Sequence, residues 1–282
     1  MQRVEVRVDG ENLYIDGALA FNGGSDELER EVSRLVRLGT PSLVVTPNVD
    51  HVLRLRTDPA FRAVFHQADL ALVDGMPLVI LARRLGARGV QRHTGADLLP
   101  RLVACSSNLG WRVVLTGGQP ETSRLAACNL NVEFGGELVE SVPFPILDGI
   151  EDKRSLDVIA QLRILKPSIV FLGLGSPKQE LWYQHWREHL PPAVYIGAGA
   201  SADFAAGVVK RAPRLVQRLS LEWLWRLAQE PSRLAYRYLV RGPAFAGVAL
   251  RAIRGRSAQR VNAEGGAKPA SQTDGSGEAN ER

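Results

Sequence analysis

Short apolar runs alternate with longer stretches in which apolar residues recur every three or four positions. The runs Leu43–Thr46, Leu70–Val73, Arg112–Leu115, Ser168–Leu172 and Ala193–Ile196 read as buried strands. Between them, Asp58–Gln67, Pro77–Leu85, Ala96–Leu109, Glu121–Leu130, Asp152–Leu165 and Pro177–His189 carry helical patterning. An earlier helix opens at Ser25-Asp26-Glu27-Leu28, puts Leu28, Val32, Leu35 and Val36 on one face, and stops at Gly39-Thr40-Pro41. Ahead of it, Val4–Val8 and Leu13–Ile15 have β character. Apolar strands alternating with amphipathic helices predict an α/β fold, a mainly parallel Rossmann-like sheet with helices on both faces. Ligands of such sheets sit at the carboxyl ends of the strands.

From Ala212 the pattern changes to helices alone, Leu215–Leu227 and then Ser232–Arg251 after a break at Glu230-Pro231. The sequence therefore divides into an α/β domain over residues 1–211, a helical C-terminal appendage over 212–254, and a tail over 255–282. The tail is rich in Gly, Ala, Ser and Asn, and lacks the large apolar residues that would offset its ordering, so it is expected to be disordered.

Charge sharpens this division. The formal net charge is +5, but Gly207–Arg260 holds twelve Lys/Arg against Glu222 and Glu230, a local net of +10. Such a face suits a phosphate-rich partner, membrane or nucleic acid, as well as a plain solvated helix surface. No window reaches the roughly 18 apolar residues of a spanning helix. The charged opening Met1–Val8 lacks the apolar stretch of a secretory signal, so a cytoplasmic protein with peripheral membrane contact is expected. Cys105 and Cys128 have no CxxC spacing and read as core fillers in a reducing compartment. His185-Trp186-Arg187-Glu188-His189 fits a zinc-peptidase pattern. It closes at Leu190-Pro191-Pro192, however, where imidazole commonly meets free helix carbonyls. No metal or cofactor is expected, and no D-x-D pair is present to hold a metal-bound diphosphate.

Candidate chemistry gathers at four strand ends: Thr46-Pro47-Asn48-Val49-Asp50-His51, Asp74-Gly75, Gly117-Gly118-Gln119-Pro120, and Gly173-Leu174-Gly175-Ser176-Pro177-Lys178-Gln179-Glu180. Each also has an ordinary reading: a capped loop, an Asp-Gly turn, a tight connection, a well-specified helix start. In the fourth, Ser176 is read as N-cap, Pro177 as the first helical residue and Gln179 as the capping-box partner. A helix start with glycines before it and a Lys and Gln beside it favours an anionic or polar ligand.

Read in order, Thr46-x-Asn48, Asp69-x-x-x-x-Asp74-Gly75, Arg92-x-Thr94-Gly95-Ala96-Asp97, Gly117-Gly118, Gly173-x-Gly175-Ser176-Pro177-Lys178-Gln179-Glu180 and Lys210-Arg211-Ala212-Pro213 resemble the WecG/TagA/CpsF glycosyltransferases. Leu221-Glu222-Trp223-Leu224-x-Arg226-Leu227 and Gln229-Glu230-Pro231 extend the resemblance, which covers roughly residues 10 to 245. It implies an inverting transfer of N-acetylmannosamine or a related sugar from a UDP-sugar donor. The implied acceptor is a polyprenyl-diphosphate-linked N-acetylglucosamine, in cell-surface polysaccharide synthesis. It implies Asp74 as general base, with Thr46 and Asn48 orienting the sugars. Substrate binding would fall to Arg92, Thr94, Asp97, Gly117, Gly118, Gly173, Gly175, Ser176, Lys178 and Gln179, with Arg226, Arg233, Arg237 and Arg241 of the appendage. That appendage is expected to close over the site and rest on the anionic inner face of a membrane.

Two stretches depart from the family pattern. Between Asn131 and Ile150, where a strand and an aromatic-Gly loop are usual, this chain has Phe134-Gly135-Gly136-Glu137 and Pro143-Phe144-Pro145. Asp50-His51 offers a second acid or base near Asp74. The competing reading is a non-catalytic basic module that binds anionic lipid or nucleic acid; under the family reading no nucleic acid is expected, and a homo-oligomer stays open.

Overall fold

The computed structural model describes residues 3–197, 199–210, 212–213, 216, 222–229 and 242–265. A small antiparallel sheet comes first, from β1 (Val6–Asp9), β2 (Asn12–Ile15) and β3 (Ala18–Leu19). The main sheet contains β4 (Ser42–Val45), β5 (Leu70–Ala71), β6 (Val113–Thr116), β7 (Val139–Val142), β8 (Ile169–Leu172) and β9 (Val194–Gly197). Its order is β5-β4-β9-β8-β6-β7 and every pairing is parallel. The helices are α1 (Ser25–Arg37), α2 (Val49–Arg54), α3 (Pro59–His66), α4 (Met76–Leu85), α5 (Gly95–Leu109), α6 (Pro120–Phe134), α7 (Ser155–Leu165), α8 (Lys178–Trp186), α9 (Ser201–Ala205), α10 (Glu222–Gln229) and α11 (Gly242–Gly265). The α/β, Rossmann-like arrangement read from the sequence is therefore the arrangement observed.

Period-two alternation sorts the strand residues into two cores. Leu43, Val45, Val170, Leu172 and Tyr195 face one side, where Phe61, Phe65, Trp182 and the β1–β2 hairpin cover them. Val44, Val113, Leu115, Phe171 and Ile196 face the other, under Leu28, Val32 and Leu35 of α1 and Leu98, Leu99 and Leu102 of α5. Helix α1 keeps its expected apolar face, and Glu27 accepts a hydrogen bond from the Gly24 N–H just ahead of it at 2.7 Å.

The structure also corrects the sequence reading. Val49–Arg54 is a short helix not among the predicted ones, and Asn48 caps it by accepting from the Asp50 and His51 N–H groups, as the helix-cap reading of this motif allowed. The stretch after Phe134 does contain a strand, β7, whose polar centre Glu140-Ser141 hides it from a hydropathy reading; it lies at the sheet edge. Helix α8 starts at Lys178 with Pro177 as N-cap, and the Ser176 hydroxyl is buried without a hydrogen-bond partner among the described residues. The capping box does not form, because the Gln179 amide turns to Glu180 instead. Cys105 is half-buried and Cys128 is exposed, so Cys128 is no core filler. Helix α11 runs on to Gly265, across residue 254, and it packs against α2, α4 and β1 with Phe245 and Val248 in the core.

Candidate active site

The carboxyl ends of β4, β5, β6, β8 and β9 open into one cleft of about 730 Å³. Its walls include Thr46 and Asn48 after β4, Asp74 and Gly75 after β5, Gly117 and Gly118 after β6, and Gly173, Gly175, Ser176 and Gln179 after β8. Arg92 and Thr94 complete the wall at the start of α5. The four separate strand-end motifs thus share one site, as an open parallel sheet requires. Glycine is needed where two of these loops meet: Gly117 has φ +91°, and a Cβ there would lie 2.9 Å from the Gly173 carbonyl carbon. A side chain at either position would force the β6 and β8 loops apart.

Asp74 is half-buried and placed by its neighbours. Its N–H donates to the Pro47 carbonyl at 3.0 Å, which ties the β5 end to the Asn48 loop. The next carbonyl back, from Val73, accepts from the His93 N–H at 2.8 Å and so brings Arg92 and Thr94 alongside. His93 is itself buried, its Nε2 3.1 Å from the Gly23 carbonyl. Burial lowers its pKa, aided by nearby Arg101, against the opposing effects of Gly23 and Asp97.

Behind Thr46 and Asn48 lies a buried polar cluster. The Thr46 hydroxyl donates to the Gly197 carbonyl at 2.8 Å and joins the ends of β4 and β9. His51 Nδ1 accepts from the Asn48 N–H at 3.3 Å, which leaves the ring proton on Nε2, 3.5 Å from Glu180 Oε1. Glu180 is fully buried, and Gln179 Nε2 donates to the same oxygen at 2.9 Å. Burial pushes the Glu180 carboxyl upward, but its interactions with the His51 ring and the Gln179 amide outweigh it and hold the group below its usual range.

Not every residue singled out in the sequence reaches the cleft lining. Asp97 is exposed, and its side chain accepts from the Thr94 hydroxyl at 2.6 Å as part of the α5 cap. Lys178 is exposed on α8. Arg226 lies in α10, but its side chain is outside the described residues, as are Arg233, Arg237 and Arg241. Trp225 Nε1 and Gln229 Nε2 both donate to the Lys210 carbonyl at 3.1 Å and tie α10 to the end of the α/β domain. His185 and His189 flank the Trp186 ring, with centroids 5.0 and 5.6 Å away, and the chain tightens to a 3-10 turn over Arg187–His189. Among the described residues no group of three or more His, Cys, Asp or Glu is placed to hold a metal.

Sequence reasoning missed a fifth wall, formed by Gly197, Gly199, Ser201, Asp203 and Phe204 after β9. Its signal was available: Gly197-x-Gly199 follows a buried strand just as Gly173-x-Gly175 does. Gly242 also reaches the rim, so α11 begins at the cleft. No helix among the described residues is long and apolar enough to cross a membrane. A family model described as Glycosyl transferase WecG/TagA/CpsF family matches residues 18–259. That span takes in all five strand-end loops, and the chain belongs to the WecG/TagA/CpsF family of glycosyltransferases, which act in cell-surface polysaccharide synthesis.

Proposed function

We propose that the chain is an inverting, metal-independent hexosyltransferase that moves N-acetylmannosamine or a related sugar from a UDP-sugar to polyprenyl-diphosphate-linked N-acetylglucosamine. The observation that carries this reading is the convergence of Asp74, Thr46, Asn48, Arg92 and the glycine loops on one cleft. The Asp74 carboxylate takes the proton from the acceptor hydroxyl as that oxygen attacks the anomeric carbon. The bond from that carbon to the diphosphate oxygen breaks on the opposite face, which inverts the configuration. UDP leaves with additional negative charge, which Arg92 and the backbone N–H groups near Gly117–Gln119 and at Gly175 and Ser176 stabilise. Thr46 and Asn48 orient the sugars. The basic segment 212–254 rests on an anionic membrane surface at the inner face, a reading supported by the local net charge of +10 over Gly207–Arg260.

The test is UDP release and product mass with the full chain, a panel of UDP-sugars, a short polyprenyl-diphosphate-N-acetylglucosamine acceptor, and EDTA. Acceptor-dependent transfer should persist in EDTA and fall by about 10²–10⁴ in Asp74→Asn. Undiminished turnover in Asp74→Asn would remove its role as base, and no transfer with any donor would remove the substrate assignment. Binding to anionic vesicles should weaken with salt, and salt-independent binding would refute the electrostatic contact.

A further inference from the structure

Gln179 is 3 % exposed, lines the cleft, and has an amide whose two ends have unequal surroundings. Its nitrogen lies 2.9 Å from Glu180 Oε1, whereas its oxygen has no hydrogen-bond partner among the described residues. Exchanging the two ends would set the amide oxygen against a buried carboxylate oxygen, with no proton between them. The ionised carboxylate therefore determines the orientation. His51 lies against the same carboxylate oxygen: its Nδ1 is occupied by the Asn48 N–H, and its Nε2 is 3.5 Å from Glu180 Oε1, a polar contact that falls short of a hydrogen bond. Space for the arrangement comes from Gly197, where a Cβ would lie 2.4 Å from Gln179 Nε2 and 3.4 Å from Glu180 Oε1.

We propose that Glu180, steadied by His51, is a positioning residue that locks the Gln179 amide with its carbonyl oxygen toward the ligand. The cleft then offers a fixed acceptor at this point, matched to a hydrogen-bond donor on the nucleotide-sugar. The donor is either a sugar hydroxyl or amide N–H, or the imide N–H of the base. A buried acceptor left unpaired by an analogue lacking that donor costs affinity, so the same contact contributes to selectivity. This rests on the UDP-sugar reading above.

The experiment is calorimetric titration of the full chain with UDP and with UDP-N-acetylmannosamine. The proteins are wild type, Glu180→Met, Glu180→Gln, Gln179→Ala, and the double variant Glu180→Met with Gln179→Ala. Glu180→Met removes the anchor at similar volume and should raise Kd about tenfold. Glu180→Gln still offers an oxygen to Gln179 Nε2 and should stay within about threefold of wild type. In the Gln179→Ala background, Glu180→Met should add nothing further, because its effect passes through the amide. Weakening confined to UDP-N-acetylmannosamine assigns the donor group to the sugar; equal weakening with UDP assigns it to the nucleotide. Unchanged affinity in Glu180→Met, or a full tenfold loss persisting without Gln179, overturns the inference. If Glu180→Met does not fold, Glu180→Asp, which withdraws the carboxylate by one methylene, carries the same cycle. Failure of the wild type to bind either compound strikes the UDP-sugar reading rather than the positioning role.

Discussion

Gly197→Ala tests the packing behind the cleft most directly. Gly197 closes β9 without a positive φ, so alanine fits the backbone, and the cost falls on the side chains facing it. The new methyl would lie 2.4 Å from Gln179 Nε2 and 3.1 Å from its Cδ, against a comfortable separation of about 3.5 Å. The amide must shift by roughly 1 Å, and it has little freedom because Gln179 is 3 % exposed. Overpacking of this kind costs about 1–3 kcal/mol. Stretching the 2.9 Å bond to the Glu180 carboxylate adds up to about 1.5–3 kcal/mol. A total of about 2.5–6 kcal/mol corresponds to a fall in Tm of roughly 5–24 °C for a chain of this size. Transfer should suffer more than folding, since a 1 Å misplacement costs about 10²-fold in rate. The assay pairs thermal unfolding with UDP release well below the melting range. Gly149→Ala serves as the control, because a Cβ there meets nothing within 4 Å. Wild-type melting and turnover in Gly197→Ala would refute the placement of the Gln179 amide.

Three other expectations follow from packing and charge. Asp16→Asn weakens the clamp in which Arg62 Nη2 donates to Asp16 Oδ1 at 2.8 Å and His66 Nε2 lies 2.9 Å from Oδ2, and asparagine tolerates the local φ of +53°. Urea denaturation should show a loss of about 2–3 kcal/mol, with turnover unchanged because Asp16 does not line the cleft. Because burial depresses the pKa of His93, the unfolded chain binds its proton more readily. The stability contributed is therefore full above about pH 6.5 and declines as the pH falls below it. His93→Gln should narrow the stability difference between about pH 7.5 and about pH 5.5; an unchanged difference refutes the assignment. Phe245→Ala should cost about 3 kcal/mol and speed proteolysis within 242–265, whereas a neutral result would mean that α11 is not docked as described.

The sheet was legible because parallel strands buried on both faces leave continuous apolar runs, as in Leu43–Val45 and Ile169–Leu172. The edge strand β7 was not, since only Val139 and Val142 of its four residues are buried. The site was legible in parts: strand-end residues announce a cleft, and Thr46, Asn48, Asp74, Arg92 and Gln179 all line it. What joins them was hidden. That His51 shares a carboxylate with Gln179 depends on α2 and α8 being brought together, and no local pattern encodes that pairing. Glu180, quoted as part of a helix start, proves to be the fully buried centre of the cluster.

The docking of α11 on β1 has a kinetic consequence for synthesis. The earliest described strand waits for a helix that begins at Gly242, so part of its core is filled only after β2 to β9 and α1 to α10 have emerged from the ribosome. At about 5–20 residues per second, that interval is on the order of ten to fifty seconds. During it the apolar positions that receive Phe245 and Val248 stand uncovered, and the nascent protein is at its most vulnerable to aggregation. Because α11 also brings Gly242 to the cleft, the delayed docking makes completion of the site wait on residues synthesised after all five strand-end loops.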